Sequence, residues 1–348
     1  MSSTVPPTSS PYQMKEADAK AKGLTPTTKA FENRDFLQSR DARMLRILCE
    51  FQEPQLRLKR NGVKGTILFF GSARSMARAD FEKTHNGLVA ELNATEDANA
   101  KAAIQAKIDR FAKVEWMCEF ADKAEELSRR LTAWSMEDSS VKADLLEHPD
   151  YLTGAVASED SEKSQPLVVL TGGGPGIMEA ANRGAASVPG AKSMGMGISL
   201  PFEKGLNPYV TPDLAFEFHY FFTRKFWMMY SAKALVVGPG GFGTMDEVFE
   251  LLTLRQTGKL PKDLPIVLLG SKYWKTVVNW QAMADFGTIS QEEVDRLCFA
   301  DDVDTAFNHI VKQLAVSISD AEHVTFAAAT PSKKAASPPM GGAVPAFK

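Results

Sequence analysis

Residues 237–247 read Val-Gly-Pro-Gly-Gly-Phe-Gly-Thr-Met-Asp-Glu and combine glycines with a hydroxyl and two carboxylates. Glycines let backbone amides approach a ligand closely. A helix that starts at such a turn offers unpaired N–H groups to an anion. The hydroxyl of Thr244 would either cap that helix or bind a phosphate oxygen. We therefore predict an anion-binding turn that contains Gly240, Gly241, Gly243 and Thr244.

The two carboxylates of this segment, Asp246 and Glu247, fall in the first turn of the predicted helix. A carboxylate there stabilises the helix through its dipole, which accounts for at least one of them without any chemistry. The same groups are also candidates for acid–base or electrostatic catalysis. The residues alone leave both interpretations open.

A second glycine turn lies at residues 170–178, which read Leu-Thr-Gly-Gly-Gly-Pro-Gly-Ile-Met. Here too an apolar strand meets glycines and then a helix, so we predict ligand binding at Gly173, Gly174 and Gly176. The alternative is a tight turn needed only for packing. Gly71 and Ser72, after the first predicted strand, form a third and weaker candidate. The acidic residue of a dinucleotide-binding fingerprint is not found about 20 positions on.

Arg224 and Lys225 lie within an otherwise apolar, aromatic stretch at residues 221–226. Charged side chains are rarely buried without a partner, so this pair should face a cleft, a solvent edge or an acidic partner. A salt-bridged helix start, with Thr223 as its candidate cap, explains the pair equally well.

These residues must be positioned by alternating strands and helices. Apolar runs predict strands at 66–70, 167–170, 193–200, 234–237 and 266–269. Periodic stretches predict helices at 113–134, 176–186, 223–231, 244–255 and 274–284. Strands that are apolar throughout are typical of a parallel sheet covered on both faces. We therefore predict an α/β, Rossmann-like, doubly wound parallel sheet with helices on both faces.

Composition divides the chain into four parts. Residues 1–30 and 318–348 are rich in Ser, Thr, Pro, Lys and Ala and are predicted to be disordered tails. Residues 31–62 are predicted to form a helical extension. The remaining 63–317 would form the catalytic domain, with a helical insertion at about 76–110.

Charge and cysteine usage exclude several classes of protein. Among 348 residues, 40 Lys and Arg stand against 43 Asp and Glu, whereas nucleic-acid binders usually carry a basic excess. Cys49, Cys118 and Cys298 are far apart, which predicts reduced thiols and no zinc site. No apolar run reaches the ~18 residues of a membrane span, and the N-terminus lacks the apolar core of a secretory signal. We expect a soluble, cytoplasmic protein.

Three features together resemble the LONELY GUY (LOG) family of nucleoside 5′-monophosphate phosphoribohydrolases. They are Pro-Gly-Gly-Phe-Gly-Thr-Met-Asp-Glu at 239–247, the three glycines at 172–174, and the pair Arg224 and Lys225. The resemblance extends over roughly residues 66–310. Members have often been described as lysine decarboxylases, but this sequence shows no lysine context typical of a pyridoxal-phosphate enzyme.

The resemblance implies hydrolysis of the N-glycosidic bond of a nucleotide. Plant-type members release free cytokinin and ribose 5-phosphate from cytokinin riboside monophosphates, and other members accept AMP. The resemblance also implies a Rossmann-like homodimer, or a higher homo-oligomer, with active sites near the subunit interface. It requires no cofactor or metal and no nucleic-acid or membrane partner. This chain departs from short members by its N-terminal extension, its insertion and its C-terminal tail.

The family's catalytic arginine and glutamate fall on Arg224 and Glu247. Breaking a C–N glycosidic bond builds positive charge on the ribose, which Glu247 would stabilise while it orients or deprotonates a water. Arg224 would hydrogen-bond the departing base or hold the phosphate, and a guanidinium group is a poor proton donor in either role. The 5′-phosphate site would comprise Gly71, Ser72, Gly173, Gly174, Gly176, Lys225, Gly240, Gly241, Gly243 and Thr244.

Two other functions compete with this interpretation. A related protein of the same fold carries the molybdenum cofactor without hydrolysing a substrate. A carrier has no need of a carboxylate beneath a ribose, so Arg224 together with Glu247 favours the enzyme. The third possibility is a nucleotide-binding regulatory subunit whose extensions mediate assembly.

Overall fold

The computed structural model describes residues 21–137, 165–200 and 205–321, except 24, 26 and 166, and excludes the side chains of 316–321. Most of the two predicted tails lies outside the described residues. The described strands are β1 (Gly65–Phe70), β2 (Leu167–Thr171), β3 (Ser193–Ile198), β4 (Ala215–Phe218), β5 (Ala232–Val237), β6 (Ile266–Leu269) and β7 (Cys298–Ala300). The described helices are α1 (Arg34–Gln38), α2 (Arg43–Arg60), α3 (Arg78–Ala94), α4 (Ala98–Ala112), α5 (Cys118–Glu137), α6 (Ile177–Ala186), α7 (Phe221–Ser231), α8 (Phe242–Gln256), α9 (Ser271–Val277), α10 (Trp280–Asp285), α11 (Gln291–Asp295) and α12 (Val303–Ala321).

The strands form one parallel sheet in the order β4-β3-β2-β1-β5-β6-β7. From β1 the chain builds outward to β4, and it then returns to place β5 on the other side of β1. The reversal makes β1 and β5 a topological switch point, and ligands of such sheets bind at the carboxyl ends of the strands there. The predicted doubly wound α/β fold is confirmed.

Apolar side chains fill both faces of the sheet. One core includes Leu68, Leu170 and Leu235 and packs against α7 and α8. The other includes Ile67, Val169 and Val236 and packs against α5, α6 and α12. Successive residues of a strand point to opposite faces. A strand covered on both sides is therefore apolar throughout, which is why these strands could be predicted.

The sequence-based prediction missed the two edge strands, β4 and β7. In β4, burial alternates, and Glu217 is exposed between two buried phenylalanines, Phe216 and Phe218. β7 has only three residues. The predicted helix at 274–284 is in fact two helices, because Val278 is extended and Asn279 caps α10 with its side chain.

The N-terminal extension and the insertion are helical, as predicted. α2 places Leu58 in the core, and α3 packs on α4 through stacked rings of Phe81 and Phe111. The domain boundaries themselves stay predictions. Within the described residues, no helix is both long enough and apolar enough to cross a bilayer.

Candidate functional site

Three turns meet at the carboxyl ends of β1, β2 and β5, and backbone hydrogen bonds join them. The N–H of Ser72 donates to the Pro239 carbonyl at 2.9 Å, and the Ile177 N–H donates to the Ser72 carbonyl at 3.2 Å. The N–H of Gly238 donates to the Phe70 carbonyl at 2.9 Å. The three predicted turns therefore form one surface at the switch point.

Packing requires the glycines in the inner part of this surface. Gly176 has φ of +77°, and a Cβ there would lie 2.2 Å from the Ser72 carbonyl oxygen. A Cβ on Gly71 would lie 2.5 Å from Ile177 Cδ1. For these two residues the packing interpretation is sufficient, and their role in ligand binding stays a prediction.

Gly241 and Gly243 are different, because both are exposed and a Cβ at either would meet no atom of the described residues within 4 Å. Gly241 precedes α8 as its N-cap, and among the described residues no side chain caps this helix. Among the described residues, no side chain accepts from the first N–H groups of α8, and helix starts of this kind bind anions.

The start of α8 corrects two predictions. The helix begins at Phe242, two residues earlier than expected, so Thr244 is its third residue and not its cap. Asp246 and Glu247 consequently lie in the second turn and not in the first. The helix dipole acts mainly within the first turn, so helix stabilisation no longer explains Glu247.

Arg224 on α7 and Glu247 on α8 form an ion pair, with 2.8 Å between Nη2 and Oε1. Glu247 is only 3% exposed. In the part of the chain that the structure describes, its Oε2 and the Nε of Arg224 are buried without a hydrogen-bond partner. Buried polar atoms are rarely left unpaired in folded proteins, so these two are candidates for contact with a ligand.

Burial raises the pKa of Glu247 above its usual value. The positive charges of Arg224 and Lys225 lower it in part, while Asp246 and Glu250 add to the rise. The protein thus holds a carboxylate in a place that disfavours its charge. Such perturbed groups are concentrated at functional sites.

Lys225 forms ion pairs with two carboxylates of α8. Its Nζ lies 2.7 Å from both Asp246 Oδ2 and Glu250 Oε2. Burial of the ammonium group favours the neutral amine, but the two hydrogen bonds outweigh it and raise the pKa of Lys225. The predicted role of Lys225 in phosphate binding stays a prediction.

A buried polar network orients the turn after β2, and the sequence analysis missed it. Thr171 Oγ1 donates to Asn182 Oδ1 at 2.6 Å and accepts from the Gly173 N–H at 2.8 Å. Asn207 Nδ2 donates to Asn182 at 2.9 Å and lies 3.2 Å from the carbonyls of Gly173 and Gly174. The N–H of Gly173 is therefore used within the protein and is not free for a ligand.

Tyr273 of α9 fixes the other glycine turn, since its hydroxyl donates to the Gly240 carbonyl at 2.5 Å. Neither this tyrosine nor the asparagines follow a motif that sequence analysis could use. The described residues contain no group of three His, Cys, Asp or Glu side chains that could hold a metal.

Comparisons with known proteins give a family and two structural neighbours. Residues 178–310, which include α7 and α8, match the family model described as "Possible lysine decarboxylase". The molybdenum cofactor binding protein of Rippkaea orientalis is 17% identical, with a TM-score of 0.33, covering 56% of this chain and 88% of that one. The structural genomics target TM1055 is 16% identical, with a TM-score of 0.36, covering 72% and 99%. No curated protein matches the sequence.

Proposed function

We propose that this chain, a member of the LOG family by its domain at residues 178–310, hydrolyses the N-glycosidic bond of a purine nucleoside 5′-monophosphate. The products would be the free base and ribose 5-phosphate, with AMP or a cytokinin riboside monophosphate as substrate. The observation that supports this most directly is the ion pair of Arg224 and Glu247, because each partner has one buried polar atom without a hydrogen-bond partner among the described residues.

In this reaction the C1′–N9 bond breaks and water supplies a hydroxyl to C1′ and a proton to the base. The electron pair of the broken bond leaves with the base, so positive charge develops on the ribose ring. Oε2 of Glu247 would face that charge or the attacking water. A fixed carboxylate in a buried site stabilises developing positive charge more strongly than it would in water.

Arg224 would act on the other side of the bond. Its guanidinium is a planar cation with several N–H donors, so it would stabilise negative charge on the departing base or on the phosphate. Pairing with Glu247 at 2.8 Å fixes its direction before the substrate arrives. Preorganisation of this kind avoids reorganisation during the reaction.

The lysine decarboxylase description requires a lysine that forms a Schiff base with pyridoxal phosphate. Such a lysine is activated by a lowered pKa. Lys225, which lies next to the Arg224–Glu247 pair, is instead held as an ammonium ion by two carboxylates that raise its pKa. This residue does not fit that cofactor.

The start of α8 offers a test of where the phosphate binds. Alanine is a better helix former than glycine by up to ~1 kcal/mol, so Gly243→Ala should leave Tm unchanged or slightly raised. If the phosphate contacts this backbone, the added methyl group should lower kcat/KM by about 10-fold or more. That loss corresponds to one charge-assisted hydrogen bond. Steady-state kinetics on AMP and thermal melts measure both quantities.

Gly87→Ala is the matched control, because Gly87 lies in α3, is exposed, and has no described atom within 4 Å of its missing Cβ. It should show the same stability change with full activity. If Gly243→Ala also keeps full activity, the phosphate does not bind at the start of α8.

We also propose that two copies of the chain associate through the outer face of α7 and α8. Phe242, the first residue of α8, is 97% exposed, and Phe221, Phe222 and Tyr230 of α7 are exposed as well. A groove of about 470 Å³ on α8 is lined by Phe242, Met245, Asp246, Phe249, Glu250, Thr253 and Leu254. Apolar surface of this kind typically marks an interaction site.

We expect Phe242→Ser to weaken the dimer without unfolding the protomer, since an exposed side chain contributes little to the monomer. Light scattering across a concentration series should show a mass that falls toward one chain at concentrations where wild type stays dimeric. Phe286→Ser is the control, because Phe286 is 85% exposed but lies outside this face. Identical masses for the two variants would place the interface elsewhere.

The proposed activity is tested with a panel of nucleoside monophosphates that includes AMP and isopentenyl-adenosine monophosphate. Chromatography should show free base and ribose 5-phosphate in equal amounts. Intact nucleotides, together with a pterin absorbance in the purified protein, would support the carrier instead.

A further inference from the structure

Glu50, on the N-terminal extension, reaches across to the start of the helix that carries Arg224. Its Oε1 accepts from the His219 N–H at 2.8 Å, and its Oε2 accepts from the Tyr220 N–H at 3.4 Å. The hydroxyl of Thr223 lies 2.5 Å from the same Oε2. One carboxylate thus gathers three donors around the first turn of α7.

The start of α7 has no cap of its own. Tyr220 occupies the N-cap position, and within the described residues its side chain makes no capping hydrogen bond. N–H groups at a helix start need an acceptor, and a negative charge is favoured there. Glu50, about 170 residues away in the sequence, brings a negative charge there and accepts from the N–H groups of Tyr220 and of His219, which precedes it.

Glu50 and its neighbours on α2 also contact residues inside α7. Thr223 is fully buried and directly precedes Arg224. One turn on, Trp227 Nε1 donates to the backbone carbonyl of Glu50 at 3.0 Å. The position of α7 along its axis is therefore tied to α2 on both sides of Arg224.

We propose that Glu50 is a positioning residue that holds α7 so that Arg224 reaches Glu247. The proposal rests on the proposed function for its catalytic consequence, but the contact itself does not. Misplacement of a reacting group by about 1 Å can cost ~10²-fold in rate. Loss of the Glu50 carboxylate should therefore change the position of Arg224 relative to Glu247, although Glu50 contacts neither side chain.

The docking of α2 does not depend on Glu50 alone. Leu58 is buried in the core, and Arg57 Nη1 donates to the Ala215 carbonyl at 2.6 Å. Phe51 also packs edge-on against Phe226 of α7, with 5.1 Å between the ring centroids. Glu50→Ala should consequently fold. Glu50→Gln, which keeps the shape of the side chain and removes its charge, serves as a second variant if Glu50→Ala is unfolded.

The first measurement is independent of catalysis. Phenylglyoxal modifies accessible arginines, and peptide mapping reports the extent at Arg224, whose side chain is 13% exposed in the pair with Glu247. In Glu50→Ala we expect the modification of Arg224 to be at least about threefold faster. Glu53→Ala is the control, because Glu53 lies on the same helix but pairs with Arg57. An unchanged rate at Arg224 in both Glu50 variants would overturn the proposal.

The second measurement is kinetic. Glu50→Ala should change the same parameter that Arg224→Ala changes, kcat or KM, by about 10-fold, and should add nothing in the Arg224→Ala background. Additive losses would show that Glu50 acts by another route and would contradict the proposal. If the wild type releases no base but the modification at Arg224 still accelerates, the positioning role holds and the proposed function fails.

Discussion

Replacement of Glu247 by Gln should lower kcat by about 10²–10³-fold while binding of AMP changes much less. Gln keeps the shape of the side chain and loses the charge that would face the ribose as it becomes positive. Removal of one preorganised electrostatic group costs ~2.7–4 kcal/mol of barrier. The interaction strengthens only as charge develops, so the ground state is little affected. Arg224 would keep a hydrogen-bond acceptor in the Gln amide oxygen but lose the negative charge that it pairs with at 2.8 Å.

The pH dependence gives a second signature of the same residue. The carboxylate is the active form, and burial raises the pKa of Glu247. Activity of the wild type should therefore fall as the pH drops through a value above the usual range for glutamate. In Glu247→Gln this acidic limb should disappear from the residual activity. Rate profiles of kcat for both proteins measure the effect.

Glu292→Gln is the control for helix stabilisation. Glu292 lies in the first turn of α11 and is exposed. A carboxylate there contributes ~0.3–1 kcal/mol to the helix, so its loss should lower stability slightly and leave kcat unchanged. If Glu247→Gln behaves in the same way, with kcat within a few-fold of wild type, the residue is structural and the proposed mechanism is wrong.

The interior of the fold could be predicted because its physical cause is local. β1, β2, β5 and β6 are covered on both faces and are therefore apolar at nearly every position. Glycine turns that follow β2 and β5 mark helix starts for an equally local reason. We identified the resemblance to the LOG family from these turns together with Arg224 and Lys225, and the family-model match over residues 178–310 supports it.

The support for the site could not be predicted, since it depends on contacts between distant parts of the chain. Glu50 is one of 43 acidic residues, and only the docking of α2 on α7 distinguishes it. Asn182 and Asn207 are ordinary in sequence, and they acquire a role because the strand order brings both to the turn after β2. The second-turn position of Glu247 likewise depended on where α8 begins, a detail that sequence patterns locate poorly.

The last expected result concerns the phosphate of the substrate. AMP should be hydrolysed with a kcat/KM at least about 10²-fold higher than adenosine. The uncapped N–H groups at the start of α8 and the hydroxyl of Thr244 would bind the phosphate. Each charge-assisted hydrogen bond contributes ~1.5–3 kcal/mol, so the loss of two costs at least ~10-fold each.

Thr244→Val connects this preference to the structure. Valine matches the shape of threonine and replaces its hydroxyl with a methyl group, and Thr244 is largely buried, so the variant tests one bond. We expect kcat/KM for AMP to fall by about 10-fold while the slow rate on adenosine changes little, because adenosine has no phosphate to make that charge-assisted bond. Equal losses on both substrates would mean that Thr244 supports the fold of the turn. Equal rates of wild type on AMP and adenosine would exclude a phosphate site at this edge of the sheet altogether.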